Sequence, residues 1–306
     1  MLTIFGIPKA FIGHYDVIQR NAIKSWLELC PKCEIILLGN EKGIAKTAAE
    51  LNIRHIPDVK YSKFGTPLIP DAFDKVTKVA RYHTLAYLNS DIILMNDFMN
   101  AFLKIQKPLF LMVGRRTEIE IKEPIRFEEA DWEQKLRNFV KKTGRLRGPT
   151  GIDYFVFSSG IPWNFPAGFA AGRPGGDNWT IYRARFLRIP VIDTTPMVTV
   201  VHQNHDHSFL QGSKGLWDGP ESKENQRLTG GHSYIFTLED ADWILTKNGF
   251  KRPKLTVRRL SRYFETLPVL YPGIGSWPKI ISLILQPRRL AGIVLRKIKI
   301  MKWIKN

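Results

Sequence analysis

An apolar run ending Tyr87-Leu88 breaks at Asn89-Ser90-Asp91 and resumes at Ile92-Ile93-Leu94. A carboxylate in a short turn at the end of a buried strand can hold a hard divalent cation, which prefers oxygen ligands, against the phosphates of a bound molecule. Asn and Asp also favour turns for their own sake, so Asp91 by itself is consistent with either role. Asn89 supplies an amide, not charge, at the position where a second carboxylate would strengthen a metal site.

Two later segments carry residues of the same kind. In Gly175-Gly176-Asp177-Asn178-Trp179 the glycines permit close approach of backbone to a ligand. An acid at the following helix start can take a proton from an attacking hydroxyl, and Trp179 offers a flat face to a ring. The structural alternative is an Asp that caps a helix and a Trp in the core. In His202-Gln203-Asn204-His205-Asp206-His207, three of the chain's seven histidines follow the apolar run Val198 to Val201. In extended chain His205 and His207 share a face and His202 does not, which favours one histidine serving a shared metal over a joint three-histidine zinc site. A solvated loop is the alternative.

The elements that must position these residues alternate. Thr3 to Ile7, Glu34 to Leu38, Ile53 to Ile56 and Leu85 to Leu88 read as strands. Asp16 to Leu29, Ile44 to Leu51 and Asp71 to Tyr82 read as helices between them, with Asp71 as a cap. Beyond residue 95 the spacing predicts strands at 109–113, 153–157, 191–192 and 198–202, and helices over 127–142 and 177–188. Nearly continuous apolar strands alternating with helices predict an α/β fold, a mixed and mainly parallel sheet flanked by helices. Ligands of such sheets bind beyond the carboxyl ends of the strands, where Asn-Ser-Asp falls. The expected division is 1–250 as one catalytic body, with halves 1–94 and 95–250, followed by a basic tail over 251–306.

In their order, Asn-Ser-Asp, Gly-Gly-Asp and the histidine cluster resemble the GT-A fold of nucleotide-sugar glycosyltransferases. The resemblance spans roughly residues 1 to 210. The segments Gly151-Ile152-Asp153-Tyr154-Phe155-Val156-Phe157 and His202 to Asp206 are also similar to those of uncharacterised bacterial proteins of this kind. It implies transfer of a sugar from a nucleotide-diphosphate donor to a glycan or lipid-linked acceptor, by inversion and with Mn²⁺ or Mg²⁺. Carried over residue by residue, Asp91 binds the metal with His202, and His205 is in reserve. Asn89 and Ser90 lie near ribose or phosphate, Ile7 and Pro8 form the base-binding loop, and Lys78 and Arg81 neutralise phosphate. Asp177 is the base, and Asp153, Asn178 and Trp179 meet the acceptor. With Asn89 in place of an acid, the metal depends on a histidine or arrives with the nucleotide, or catalysis needs no metal.

The charge is distributed unevenly. The 306 residues carry +18, but residues 251–306 hold 14 Lys and Arg against one acid, Glu265. The body is therefore close to ordinary, which argues against a general nucleic-acid binder. On a helical wheel over 288–305, Leu290, Ile293, Val294, Ile298, Met301 and Ile304 fall on one arc, with Arg288, Arg289, Arg296, Lys299 and Lys302 opposite. That is the composition of a helix lying in an anionic membrane surface, although a helix packed on the body with a solvated face fits the same pattern. The opening Leu2-Thr3-Ile4-Phe5 reads as a strand, not as a secretory leader, and Cys30 and Cys33 make a lone C-x-x-C compatible with a reducing cytosol. The expected location is the cytoplasmic face of the inner membrane. Two alternatives come from other classes: a non-catalytic membrane- or glycan-binding protein, and a sugar-phosphate nucleotidyltransferase. The second wants a Gly-rich loop after the first strand, where this chain has Gly6-Ile7-Pro8-Lys9.

Overall fold

The structure is a computed structural model and describes residues 1–205 and 217–287. The strands are β1 (Leu2–Gly6), β2 (Glu34–Leu38), β3 (Arg54–Ile56), β4 (Thr84–Leu88), β5 (Ile92–Ile93), β6 (Leu111–Val113), β7 (Arg116–Ile119), β8 (Arg145–Leu146), β9 (Tyr154–Ser158), β10 (Val191–Asp193), β11 (Val200–Gln203), β12 (Trp243–Thr246) and β13 (Gly249–Lys251). Nine form one sheet in the order β13-β12-β10-β6-β9-β4-β1-β2-β3. β3, β2, β1 and β4 run parallel. β9 inserts antiparallel between β4 and β6, and parallel pairing resumes through β10 to β12. The expected architecture, a mixed and mainly parallel sheet under helices, is what the chain forms.

The period-2 alternation of strand side chains builds a core on each face. Phe5, Ile36, Leu38, Leu85, Tyr87, Phe155 and Phe157 point to one side, onto the helices Ile69–Val79 and Gly176–Phe186. Leu2, Ile4, Ile35, Leu37, Ala86, Leu88, Tyr154 and Val156 point to the other, onto His14–Leu27 and Asn96–Phe102. Each fully buried Leu, Ile or Phe contributes about 1.5–3 kcal/mol over its exposed state. Burial on both faces fixes the strand register, because a one-residue slip would exchange the two sets.

A second sheet, β5-β11-β7-β8, stands apart. Ile93, Ile119 and Val201 pack on Leu136 and Val140 of the helix Trp132–Thr143. β5 pairs antiparallel with β11, setting His202 opposite Ile92.

The expected boundary after residue 250 falls inside the hairpin of β12 and β13. The helix Val257–Leu270 then packs on the body, where Val269 joins the core and Arg262 pairs with buried Asp240 at 2.9 Å. The amphipathic helix expected over 288–305 lies outside the described residues. Among the described residues, no helix is long and apolar enough to cross a membrane.

Candidate functional site

The carboxyl ends of the parallel strands β1 and β4 lie side by side, since Phe5 pairs with Tyr87. The chain leaves β4 through Asn89-Ser90-Asp91, and β1 closes on it with Gly6. A Cβ at residue 6 would stand 2.9 Å from Ser90 Oγ, so the strand ends approach this closely only with glycine there. Ile7 is half-buried against the core and Pro8 is buried, both beside this turn.

Asp91 meets two imidazoles. Its Oδ2 is 3.0 Å from His205 Nε2 and 3.6 Å from His202 Nε2. Gln203 holds the turn in place, donating to the Asp91 carbonyl from its backbone N–H at 3.3 Å and its side chain at 3.0 Å. β11 ends at Gln203, and this explains how both histidines reach Asp91. The chain is no longer extended between 202 and 205, so the alternation that separated them in sequence does not apply. His205 therefore stands in the site, not in reserve. Its Nδ1 lies 3.2 Å from the hydroxyl of Tyr15. His207 lies outside the described residues.

Residues Asp91, His202 and His205 are the group among the described residues that could hold a metal ion, with one ligand atom from each all within 4.8 Å of one another. Two ligands at right angles on metal bonds of about 2.1 Å are about 3.0 Å apart, the separation of Asp91 and His205, with His202 at 3.6 Å. Asp91 Oδ1, His202 Nδ1 and Ser90 Oγ are buried without hydrogen-bond partners among the described residues. Buried polar atoms left in this state call for a ligand, ion or water. The residues present thus fit a divalent cation. Burial alone would raise Asp91, but the charge of His202, the hydrogen bond and charge of His205 and, least, the charge of Lys9 outweigh it and hold the carboxyl well below the usual range.

Asp177 occupies a different environment. Gly175 takes the N-cap position of its helix in the left-handed region (φ 105°), and no side chain caps the helix. The Asp177 carboxylate is therefore not used as a cap. Burial and the negative charge of Asp153 push it up to about 8, against an opposing effect of Arg116. The Tyr87 hydroxyl, raised chiefly by burial, also feels the charges of Asp177, Asp153 and Asp91. The charges of all three carboxylates thus reach the Tyr87 hydroxyl.

Asn89 and Asp153 are partners. β9 pairs with β4 so that Tyr154 faces Leu88, which puts Asp153 beside Asn89. Asn89 Nδ2 donates to Asp153 Oδ1 at 2.7 Å, and Arg116 Nη1 donates to both Asp153 oxygens at 2.7 and 2.6 Å. With both oxygens engaged and the residue 3% exposed, Asp153 presents no face to a donor or acceptor. Its role is to hold the turn.

Other expected site residues are placed elsewhere. Trp179 is 6% exposed and packs on Phe165 and Phe169, so it is a core residue and not a sugar platform. Asn178 donates to the Phe236 carbonyl at 2.7 Å. Lys78 and Arg81 are exposed at the amino end of β4, where the Arg81 N–H bonds Glu34, at the far end of the strand from Asp91. Their charges cannot serve phosphate there. Cys33 is half-buried, with its thiol pushed up to about 12 by burial, the reverse of a reactive thiolate.

The sequence reading missed Lys9, Tyr15, Arg116 and Tyr87. Lys9 and Tyr15 follow β1 and were legible as neighbours of any ligand at its carboxyl end. Arg116 carried no local signal, since its partner is 37 residues away.

No family model matches this chain, and no curated protein matches it. Among solved structures it is similar to S. aureus TarS and GalNAc-T7. Residues 1–349 of S. aureus TarS align at 10% identity and a TM-score of 0.48, over 90% of this chain and 73% of that one. GalNAc-T7, solved with UDP, GalNAc and Mn²⁺, aligns at 13% identity and a TM-score of 0.47, over 75% of this chain. A longer S. aureus TarS structure aligns at 10% and 0.46. This chain spans about half of the latter two, 48% and 53%. Likeness at this level decides nothing about the site, whose chemistry follows from its own side chains.

Proposed function

We propose that this chain is a glycosyltransferase that takes a sugar from a nucleotide-diphosphate donor and passes it to a hydroxyl of a glycan or lipid-linked acceptor. The observation that carries the reading is the set of side chains gathered at the ends of β1, β4 and β11. A trio able to bind a cation, with unpartnered buried atoms, stands there, and a separate carboxylic acid not spent on a cap, Asp177, shares with Asp91 an electrostatic influence on Tyr87. Asp91, His202 and His205 would hold Mn²⁺ or Mg²⁺, which offsets charge on a leaving diphosphate when bound. Lys9 adds positive charge on the same side. Asn89, tied to Asp153 and Arg116, fixes the turn that presents Asp91. Ile7 and Pro8 border the place for the nucleotide.

Asp177 takes the proton of the acceptor hydroxyl as its oxygen bonds to the anomeric carbon and the bond from that carbon to the diphosphate oxygen breaks. With one acid available for that proton, direct displacement with inversion needs no further group. The basic segment 288–305 supports a place on an anionic membrane surface at the cytoplasmic face.

A panel of nucleotide sugars, assayed for binding and for hydrolysis with and without Mn²⁺, tests the reading. The expected result is metal-dependent binding of at least one donor, lost in Asp91→Ala. No binding of any donor, with the variant indistinguishable from the parent, would sink it.

A further inference from the structure

The helix Trp277–Ile284 turns a second apolar stripe outward. Its buried side chains are Pro278 and Ser282, whereas Trp277, Ile280 and Ile284 are 53%, 62% and 63% exposed. A helix on the surface of a soluble domain has one such stripe and buries it. The spacing 277, 280, 284 sets the three large apolar side chains on one face.

The inner face centres on Ser282, with Pro278 and the half-buried Ile281 and Leu285 beside it. Ser261, fully buried in the helix Val257–Leu270, lies 2.9 Å from both the carbonyl and the hydroxyl of Ser282. Gln286 also donates to the Ser261 hydroxyl, at 2.5 Å. Small hydroxyl residues between two helices and large apolar residues outside them is how helices pair in an apolar medium. Ser261 meets Ser282 and Gln286 across a short connection, so the helices run antiparallel. The carboxyl end of the second therefore meets the amino end of the first, where Leu255 and Val257 are also exposed. From that end the chain continues beyond Pro287 into residues 288–306, with seven Lys and Arg and no acid.

We infer that this helical hairpin docks on an anionic lipid surface, with Trp277, Ile280 and Ile284 entering the boundary between headgroups and acyl chains. The inference rests on the membrane location proposed above and deepens it, adding a preformed part of the folded body to the basic segment. The occupant follows from charge and chemistry. A face carrying Trp beside a strongly cationic segment matches an interface that is apolar below and negatively charged above.

Flotation of the full chain with vesicles of phosphatidylcholine, alone or mixed with phosphatidylserine, is the test. Two variants are compared: W277S/I280S/I284S, and a chain with the seven cations of 288–306 changed to Gln. The three serines replace exposed side chains, so the melting temperature should hold. The expected result is a loss of about tenfold or more in partition to the mixed vesicles for the triple variant, together with weaker bromolipid quenching in W277F than in the parent. Flotation of the triple variant equal to the parent overturns the inference. If the cation variant alone then fails to float, the basic segment acts without the hairpin. If the parent self-associates without vesicles and the triple variant is monomeric yet floats normally, the face is an interface between copies and the inference fails. If the parent never floats, the membrane location fails with it. None of these outcomes touches donor binding, which tests the catalytic reading separately.

Discussion

Asp91 and Asp177 are acids whose charges both act on Tyr87, and their surroundings push them in opposite directions. Both lose water, which favours the neutral acid. Beside Asp91 the two imidazoles, His205 through a hydrogen bond as well as charge, together with Lys9 outweigh burial, and the carboxyl is held low. Beside Asp177 the dominant neighbour is another carboxylate, Asp153, and the group rises to about 8. The cation that would oppose this, Arg116, is committed to Asp153 and to Glu118, at 2.6 and 3.1 Å. Two acids whose environments separate them in this way mark a division of labour. The first is fixed as an anion for a cation to bind. The second is poised to exchange a proton.

The largest effect expected from this division is at Asp177. Asp177→Asn keeps the shape and removes the proton acceptor, so turnover should fall by about 10²–10⁴ while donor affinity by calorimetry stays the same. In the parent, activity should rise with pH and level off above about 8, as Asp177 ionises. Stability should move the other way. The folded value lies above the unfolded one of about 3.9, so the contribution is complete below about pH 4 and lost as pH rises through about 8. Asp177→Asn should flatten that decline in a melting series. Activity in the variant within a few fold of the parent would place the base elsewhere.

On the other side of the comparison, Asp91→Ala leaves His202 and His205 without an anion. Donor binding in the presence of Mn²⁺ should weaken by about 100-fold or more, at least the upper range for loss of an outer-sphere partner. Binding in a chelator should hardly change. Equal donor affinity in the parent with and without metal would break the assignment of Asp91 to a cation.

The large sheet was legible because its strands are apolar on both faces and alternate with helices of matching period. β1, β2 and β4 fall within a residue or two of where periodicity puts them. The second sheet was not legible. β7 reads Arg-Thr-Glu-Ile and β5 has two residues, so neither shows a pattern until the chain brings partners to it. Asp91 and the histidines were legible as residue types at strand ends, but their joint approach to one oxygen depends on where β11 stops. Trp179 misled for a related reason. An aromatic near a Gly-rich turn has the same sequence whether it faces a ligand or, as here, Phe165 and Phe169. Lys78 and Arg81 failed on direction alone, since residues before a strand and residues after it lie at opposite ends of the sheet.

Asn89 invites a repair that should fail. Asn89→Asp restores an acid at each end of the Asn-Ser-Asp turn, and by charge count alone it would strengthen a metal site. Its nitrogen, however, now donates to Asp153 at 2.7 Å, and a carboxylate there would face another with Arg116 already committed. The variant should lose about 2 kcal/mol at neutral pH. A shared proton relieves the repulsion, so the gap in melting temperature between variant and parent should narrow as pH falls. A variant as stable as the parent at pH 7, with tighter Mn²⁺ binding, would show that Asn89 is an ordinary gap in an acidic pair and not the clamp on Asp153.

Tyr15 gives the smallest effect and separates the two sides most cleanly. Its hydroxyl meets His205 Nδ1 at 3.2 Å, the contact that orients a ligating imidazole whose other nitrogen faces the metal position. Tyr15→Phe keeps the ring and deletes that contact, so Mn²⁺ affinity measured without donor should fall by about tenfold while the melting temperature stays near that of the parent. The rise of activity through about pH 8 should be unmoved at saturating Mn²⁺, because it belongs to Asp177. A shift of that pH profile in Tyr15→Phe would mean that the two acids titrate as one system, and the division of labour between them would have to be abandoned.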